Sequence, residues 1–337
     1  MREIRQAINL VRYRKEAPVR YVQTTGKLAS SVVQAHPEPL PVGHVRLAIA
    51  YVGVCHSDLA AVAEGEGDFP RRLGHEVSGV VTESATAALP PGTRVAAYVD
   101  HGYASEIVVP AARTVVLHRD CSLLDGALAE PVACVIGGLE MLSFRECPRI
   151  VLVGTGFMGL LALRYLTAIG HRVFAIEPRA SARELARHWG ADIVVHPDEV
   201  DDRMRRTQPI VIEATGAAAG LTLASDLVGI DGTLGILGYH QSNDGERVVD
   251  MQGWNFRALR VVNLHNRRID NILTWMDRAQ RSAALGFVCP SRLVDVRVNL
   301  DELPDVLAGK RGHDAIKTVL CSDADREPQA YRPMESI

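Results

Sequence analysis

The sequence predicts an α/β chain of two domains, a β-rich one first and then a doubly wound parallel sheet with helices on both faces. Three observations carry this. The 337 residues suffice for two domains of ordinary size. Between residues 45 and 118, short apolar or alternating runs follow one another with only turn residues between the later ones. After about residue 121, strand-period and helix-period segments take turns, the mark of a parallel sheet built from strand–helix units.

The elements follow in order. The N-terminal stretch, MREIRQAINLVRYRKEAPVR, is basic and briefly amphipathic, with neither the apolar core nor the small-residue cleavage site of a signal peptide. Residues 45–54 (VRLAIAYVGV) read as a strand leading into Cys55. VSGVVT (77–82), TRVAAYV (93–99), SEIVVP (105–110) and RTVVLH (113–118) read as further strands, with Pro90-Pro91-Gly92 turning the chain between the first two. A compact, barrel-like arrangement is expected. Leu123 to Met141 has helical spacing. RIVLVG is then a strand, Met158 to Ile169 a helix ending at Gly170, HRVFAIE a strand, and Ser181 to Trp189 a helix ending at Gly190. ADIVVH, PIVIEAT, GTLGILG and LRVVNL complete the strand set. Ile269 to Ala284 is a helix, and SRLVDVRV and DAIKTVLC are strands that return to the first domain. The expected division is residues 1–125 with 268–337 for the first domain and 126–267 for the second. The last residues are polar and irregular.

Composition excludes several classes. Thirty-seven basic against 40 acidic residues give a net charge of −3. That balance offers no electrostatic reason to bind nucleic acid or an anionic membrane. No apolar run approaches the roughly 18 residues of a membrane span. A cytoplasmic protein is expected. Its six cysteines (55, 121, 134, 147, 289 and 321) show no CxxC spacing, so neither a disulfide framework nor a four-cysteine zinc site is expected.

Gly154-Thr155-Gly156-Phe157-Met158-Gly159 sits between a predicted strand and a predicted helix. In that setting Gly154 permits the tight turn, Gly156 lets the backbone approach a pyrophosphate, and Gly159 allows close helix–strand packing. The N–H groups opening the helix bind the phosphates. Glu177 ends the next strand, where a carboxylate bonds the adenosine ribose and repels a 2′-phosphate, favouring NAD. Arg179, two residues on, could instead accept that phosphate, so NADP stays open.

A second constellation precedes this one. Cys55-His56-Ser57-Asp58, Gly74-His75-Glu76 and Ala129-Glu130-Pro131 supply a thiolate, an imidazole and carboxylates. Singly each is unremarkable, since a lone cysteine is usually core. Together, ahead of a dinucleotide motif, they suit a zinc ion that polarises an alcohol or carbonyl oxygen.

The runs GVCHSD, LGHEVSGVV, PGTRVA, AEPVAC, VLVGTGFMG and DAIKTVL resemble, in order over roughly residues 45–321, the zinc-dependent medium-chain dehydrogenase/reductases of the alcohol and sorbitol dehydrogenase type. The resemblance implies a GroES-like catalytic domain and a Rossmann domain with a cleft between them. It implies Cys55 and His75 as zinc ligands, with Glu76 able to approach or exchange onto the metal. Glu130 falls where sorbitol-dehydrogenase-like members carry a glutamate near zinc. Ser57 takes the place of the proton-relay hydroxyl, and His56 that of a basic residue near the cofactor phosphates. Asn263, in Asn263-Leu264-His265, falls close to nicotinamide and substrate. Two departures matter. The family's four-cysteine structural-zinc lobe is missing from AYVDHGYASEIVV, so one catalytic zinc and no structural one is expected. Ala60 replaces a histidine that continues the proton relay in some members.

The function implied is hydride transfer between NAD(H) and a secondary alcohol, with its ketone as the reverse substrate. His240, Trp254, Asn263 and His265 are polar or aromatic residues near strand ends, suited to a polyol, cyclitol, sugar or amino alcohol, or else to the rim of the site or a subunit contact. Alternatives are a metal-free enone or quinone reductase on the same scaffold and a non-catalytic nucleotide-binding protein. The strand edges, with the resemblance, allow a homodimer.

Overall fold

The computed structural model describes residues 18–65, 67–144, 149–312 and 314–321. The N-terminal stretch before residue 18, Cys147 and the polar tail lie outside the described residues. The chain forms two compact units. One takes the residues up to Ala129 and those from Ser291 onward; the other takes Glu130–Pro290.

The first unit opens with a hairpin, β1 (Val19–Gly26) and β2 (Ala29–Ala35). Its main sheet contains β3 (His44–Gly53), β4 (Glu76–Ser84), β5 (Arg94–Tyr98), β6 (Glu106–Pro110) and β7 (Thr114–Val116). The C-terminal strands β14 (Val296–Val298) and β15 (Thr318–Cys321) complete it. The pairing order is β14-β15-β3-β4-β5-β7, with β6 also on β3. β3 organises this sheet. One edge pairs with β4 along its length, while the other pairs with β6 over His44–Ala48 and with β15 over Tyr51–Gly53. Its apolar run is therefore covered on all sides: Val45, Leu47, Ile49 and Val52 pack with Val77, Val81, Val95, Ala97, Ile107 and Val109 in one core. Two short helices matter to the site, α1 (His56–Glu64) and α2 (Leu123–Ala127). The C-terminal return differs from expectation. Ser291 to Leu293 lie in a 3-10 turn, and Asp295 accepts the N–H groups of Ile316 and Lys317, so only three residues of SRLVDVRV form a strand.

The second unit begins with α3 (Ala129–Leu139), whose first residue still belongs to the first unit. It holds a parallel sheet of β8 (Arg149–Val153), β9 (Arg172–Ile176), β10 (Ile193–Val195), β11 (Gln208–Glu213), β12 (Val228–Ile236) and β13 (Arg260–Asn263). The order is β10-β9-β8-β11-β12-β13, with every pairing parallel. This is the doubly wound order with its switch point between β8 and β11. The crossover helices are α4 (Phe157–Ala168), α5 (Ala180–His188) and α6 (Ala218–Leu227), followed by α7 (Met251–Phe256) and α8 (Ile269–Ala284). β8 reads as a continuous apolar run because both its faces are covered. α9 (Leu303–Leu307) belongs to the first unit.

The sequence reading assigned residues 268–290 to the first domain, but the structure places them in the second unit. α8 explains why. Trp275 sits against Gly137 of α3, where even a Cβ would lie 2.4 Å from the indole, and both Trp275 and Arg278 donate to Glu140. Arg164 of α4 also donates to the Phe287 carbonyl at 2.7 Å.

Candidate metal and dinucleotide sites

Two turns of the first unit converge. Cys55 sits at the N-cap of α1 in extended conformation, and its carbonyl accepts from Asp58 N and Leu59 N. The carbonyl is thus absorbed by the helix start, and the thiol lies beside Ser57, whose Oγ donates to Sγ at 3.2 Å. His75 and Glu76 follow a tight turn at Gly74, whose φ of +101° suits glycine, and Glu76 opens β4. Ligand atoms of Cys55, His75 and Glu76 all lie within 4.8 Å of one another. Thiolate, imidazole and carboxylate are together a donor set for zinc.

The surroundings of these groups are specific. His75 Nδ1 stands 3.4 Å from Asp58 Oδ1. Engaging Nδ1 leaves Nε2 as the ring nitrogen able to ligate. Burial works against protonation of His75, but Asp58 and Cys55 outweigh it and push its pKa up to about 12. Asp58 is itself buried, and its Oδ2 accepts from the Tyr103 hydroxyl at 2.6 Å. Burial, with Asp58 adding to it, raises the Tyr103 phenol well above its usual range, so it stays a neutral donor.

Glu76 is 1 % exposed. Its Oε1 accepts from Lys317 Nζ at 2.6 Å, while Oε2 has no hydrogen-bond partner. Lys317 also donates to the Val54 carbonyl at 3.0 Å, so one buried ammonium ties Glu76 to the residue preceding Cys55. Gly53 makes room for this: a Cβ there would meet Glu76 Oε2 at 1.8 Å. An unsatisfied buried carboxylate oxygen is costly unless something else completes it. The trio therefore fits a cation. Lys317 and Tyr103 had no role in the sequence reading, because nothing local marks them. Lys317 is 241 residues from Glu76 and Tyr103 is 45 from Asp58.

Glu130 belongs to the second unit, in the first turn of α3, where its Oε1 accepts from Cys134 Sγ at 3.2 Å. The close trio does not include it. His56 is exposed at the start of α1 and Ser57 is half-buried. Residues 99–105 join β5 directly to β6, and no cysteine lies between them.

In the second unit the glycines divide their work by space. Gly154 has φ +95°. A Cβ on Gly159 would lie 2.1 Å from the Gly154 carbonyl, so the start of α4 packs tightly on the turn after β8. A Cβ on Gly156 would meet only the Arg179 guanidinium, at 3.7 Å. Gly156 therefore borders open space at the N-terminus of α4, beside Phe157 and Met158, as close approach of a pyrophosphate requires. Glu177 is 3 % exposed just past β9. Its carboxylate accepts from Thr155 N at 2.8 Å and from Arg179 N and Nε at 3.0 and 2.9 Å. Burial opposes its ionisation, but these donors, Arg179 foremost, hold its pKa below the ordinary carboxylate value.

At the C-terminal ends of β11, β12 and β13, His240 bonds the fully buried Glu213 at 2.9 Å and accepts from Arg247 Nε at 2.9 Å. Asn263 is exposed, its Oδ1 accepting from His265 N, and the His265 ring packs on Tyr239 with centroids 5.6 Å apart. Burial, with the charge of Arg267, lowers the His265 pKa. Trp254 differs from expectation. It lies in α7, packed against the core around Val211 and Leu234, and its indole N–H donates to Ser225.

Comparison with known proteins agrees with both units. Residues 41–134 match the alcohol dehydrogenase GroES-like domain, and residues 158–281 match the zinc-binding dehydrogenase domain. The chain is 27% identical over 251 residues to galactitol 1-phosphate 5-dehydrogenase of Escherichia coli, covering 63% of this chain and 72% of that one. It is 29% identical over 305 residues to D-altritol 5-dehydrogenase of Agrobacterium fabrum, covering 78% and 88%. Its fold matches that of L-idonate 5-dehydrogenase from Escherichia coli with a TM-score of 0.80 at 19% identity, over 90% of this chain and 98% of that one. With a GroES-like domain followed by a Rossmann domain, the chain belongs to the zinc-type medium-chain dehydrogenase/reductases, an NAD(H)-dependent oxidoreductase family acting on alcohols and polyols.

Proposed function

We propose that this chain is a zinc-dependent, NAD-linked dehydrogenase of a secondary alcohol of the polyol class, reversible to the ketone. The observation that carries the proposal is the Cys55–His75–Glu76 trio with its buried, unpartnered Glu76 oxygen. Cys55 and His75 are the ligands of a single catalytic zinc. Glu76, the carboxylate of the trio, is the third group that reaches the metal in this reading. When bound, zinc supplies Lewis-acid polarisation of an alcohol or carbonyl oxygen and NAD supplies the hydride acceptor.

The chain's own groups do the rest. Asp58 holds the His75 ring by Nδ1. Ser57 Oγ, beside Cys55, carries the substrate hydroxyl proton outward, and with alanine at position 60 the exit runs through solvent. Gly154, Gly156 and Gly159 with the first turn of α4 receive the pyrophosphate, and Phe157 and Met158 flank it. Glu177 takes the adenosine ribose. Because Arg179 neutralises Glu177, NADP is admitted more weakly rather than excluded. Asn263, at the end of β13, is the group assigned to the nicotinamide. The names of the matched relatives, a galactitol 1-phosphate and a D-altritol 5-dehydrogenase, support a polyol or its phosphate.

A homodimer through the edge strand β13 is part of the reading, supported by the exposed apolar Ile230, Met251 and Phe256 in the same unit. Among the described residues no helix is long and apolar enough to cross a membrane. The test is nicotinamide absorbance with NAD and NADP against a panel of polyols, polyol phosphates, cyclitols, amino alcohols and their ketones. Turnover of polyols with NAD is expected. Reduction of enones or quinones by chelator-treated protein, with no polyol turnover, would overturn the proposal.

A further inference from the structure

The segment joining β5 to β6 does more than close the gap between two strands. Gly102 N donates to the Gly74 carbonyl at 2.7 Å and Tyr103 N to the Leu73 carbonyl at 3.0 Å, so this segment is bonded to the turn that presents His75. The Tyr103 ring fills the space beside Gly74, where a Cβ would meet ring carbons at 2.8 Å. From there its hydroxyl reaches Asp58 Oδ2 at 2.6 Å, with the Gly53 carbonyl at 3.5 Å. Tyr103 is 1 % exposed and Asp58 4 %. Asp58 Oδ1 faces His75 Nδ1. One side chain thus touches the turn carrying His75 and the carboxylate orienting its ring.

We propose that Tyr103 is a positioning residue for the metal ligand His75, acting through Asp58. Without its hydroxyl, Asp58 can rotate about its own side-chain bonds, and the imidazole loses a fixed partner. A core phenylalanine would serve packing equally well, so the hydroxyl is the informative part. Outer partners of metal ligands commonly carry 10–100-fold in metal affinity. The inference rests on the reading of Cys55 and His75 as zinc ligands.

The test is the zinc dissociation constant of the full chain, measured by chelator competition on wild type, Tyr103→Phe, Asp58→Asn and the double variant, with the cobalt(II) ligand-field spectrum as a second readout. Tyr103→Phe is expected to weaken zinc about tenfold and to shift the cobalt bands. In the Asp58→Asn background the same change is expected to alter affinity less than threefold, because its route to His75 is already cut. Affinity within threefold of wild type in folded Tyr103→Phe overturns the proposal, as does full additivity in the double variant. If Tyr103→Phe does not fold, 4-aminophenylalanine at 103 keeps the ring and a donor to Asp58. It is expected to restore wild-type zinc affinity, and a folded but weakly binding protein overturns the proposal. Failure of wild type to bind zinc refutes the metal reading instead.

Discussion

Lys317→Met probes the most buried charge pair of the metal region. Lys317 and Glu76 side chains are 4 % and 1 % exposed, and Nζ donates to Glu76 at 2.6 Å and to the Val54 carbonyl at 3.0 Å. Methionine preserves much of the aliphatic stem. The change leaves a buried carboxylate with neither oxygen partnered, since Oε2 already lacks a bond. Removing one partner of such a pair costs about 3–5 kcal/mol, most of it the burial of an uncompensated charge. Urea unfolding of metal-free protein reads this. At an m-value of about 2 kcal/mol per molar urea, the transition of the first unit moves down by about 2 M while that of the second stays put. Glu76→Leu with Lys317→Met removes both charges and is expected to fall within about 1 kcal/mol of wild type. A loss below about 1 kcal/mol in Lys317→Met alone refutes the view of this lysine as the buried partner on which Glu76 depends.

Further outcomes follow from the same geometry. Gly159→Ala places a methyl 2.1 Å from a carbonyl oxygen and is expected to destabilise the second unit by about 1–3 kcal/mol in thermal unfolding. Gly156→Ala meets open space, so stability is expected to hold within about 0.5 kcal/mol while NAD affinity by titration calorimetry falls at least tenfold. His75, raised to about 12 in the folded chain, stabilises the metal-free protein fully below its unfolded value near 6.5 and progressively less as pH rises from there towards 12. Zinc must displace that proton. Binding at pH 7–9 is expected to release at least one proton, with apparent affinity rising about tenfold per pH unit for each. Proton release too small for one site in weakly buffered calorimetry would contradict this.

Much of the fold was legible because burial and periodicity agree. β8, β9 and β11 are apolar on both faces, and α4 and α5 end at glycines with φ near +100°. The hairpin of β1 and β2 was not read, since its half-exposed, hydroxyl-rich strands give little apolar alternation. DAIKTVLC was read as a longer strand than β15, because the Asp295 carboxylate rather than a neighbouring strand takes the N–H groups of Ile316 and Lys317. In the site, Cys55, His75 and Glu76 were legible because each lies within a short local motif. Asp58 was visible beside Cys55, but its partnership with His75 was not. Tyr103 and Lys317 come beside Asp58 and Glu76 only through folding. Their contacts span long stretches of sequence, and in isolation a tyrosine before a strand and a lysine entering the last one signal nothing.

The central claim is one catalytic zinc held by Cys55 and His75. Elemental analysis of the purified chain, with activity and NAD binding followed in parallel, tests it most directly. One zinc per chain is expected in wild type and none in Cys55→Ser or His75→Ala, both of which lose turnover while retaining NAD. Full turnover in rigorously demetallated protein, or undiminished zinc in the two variants, contradicts the claim.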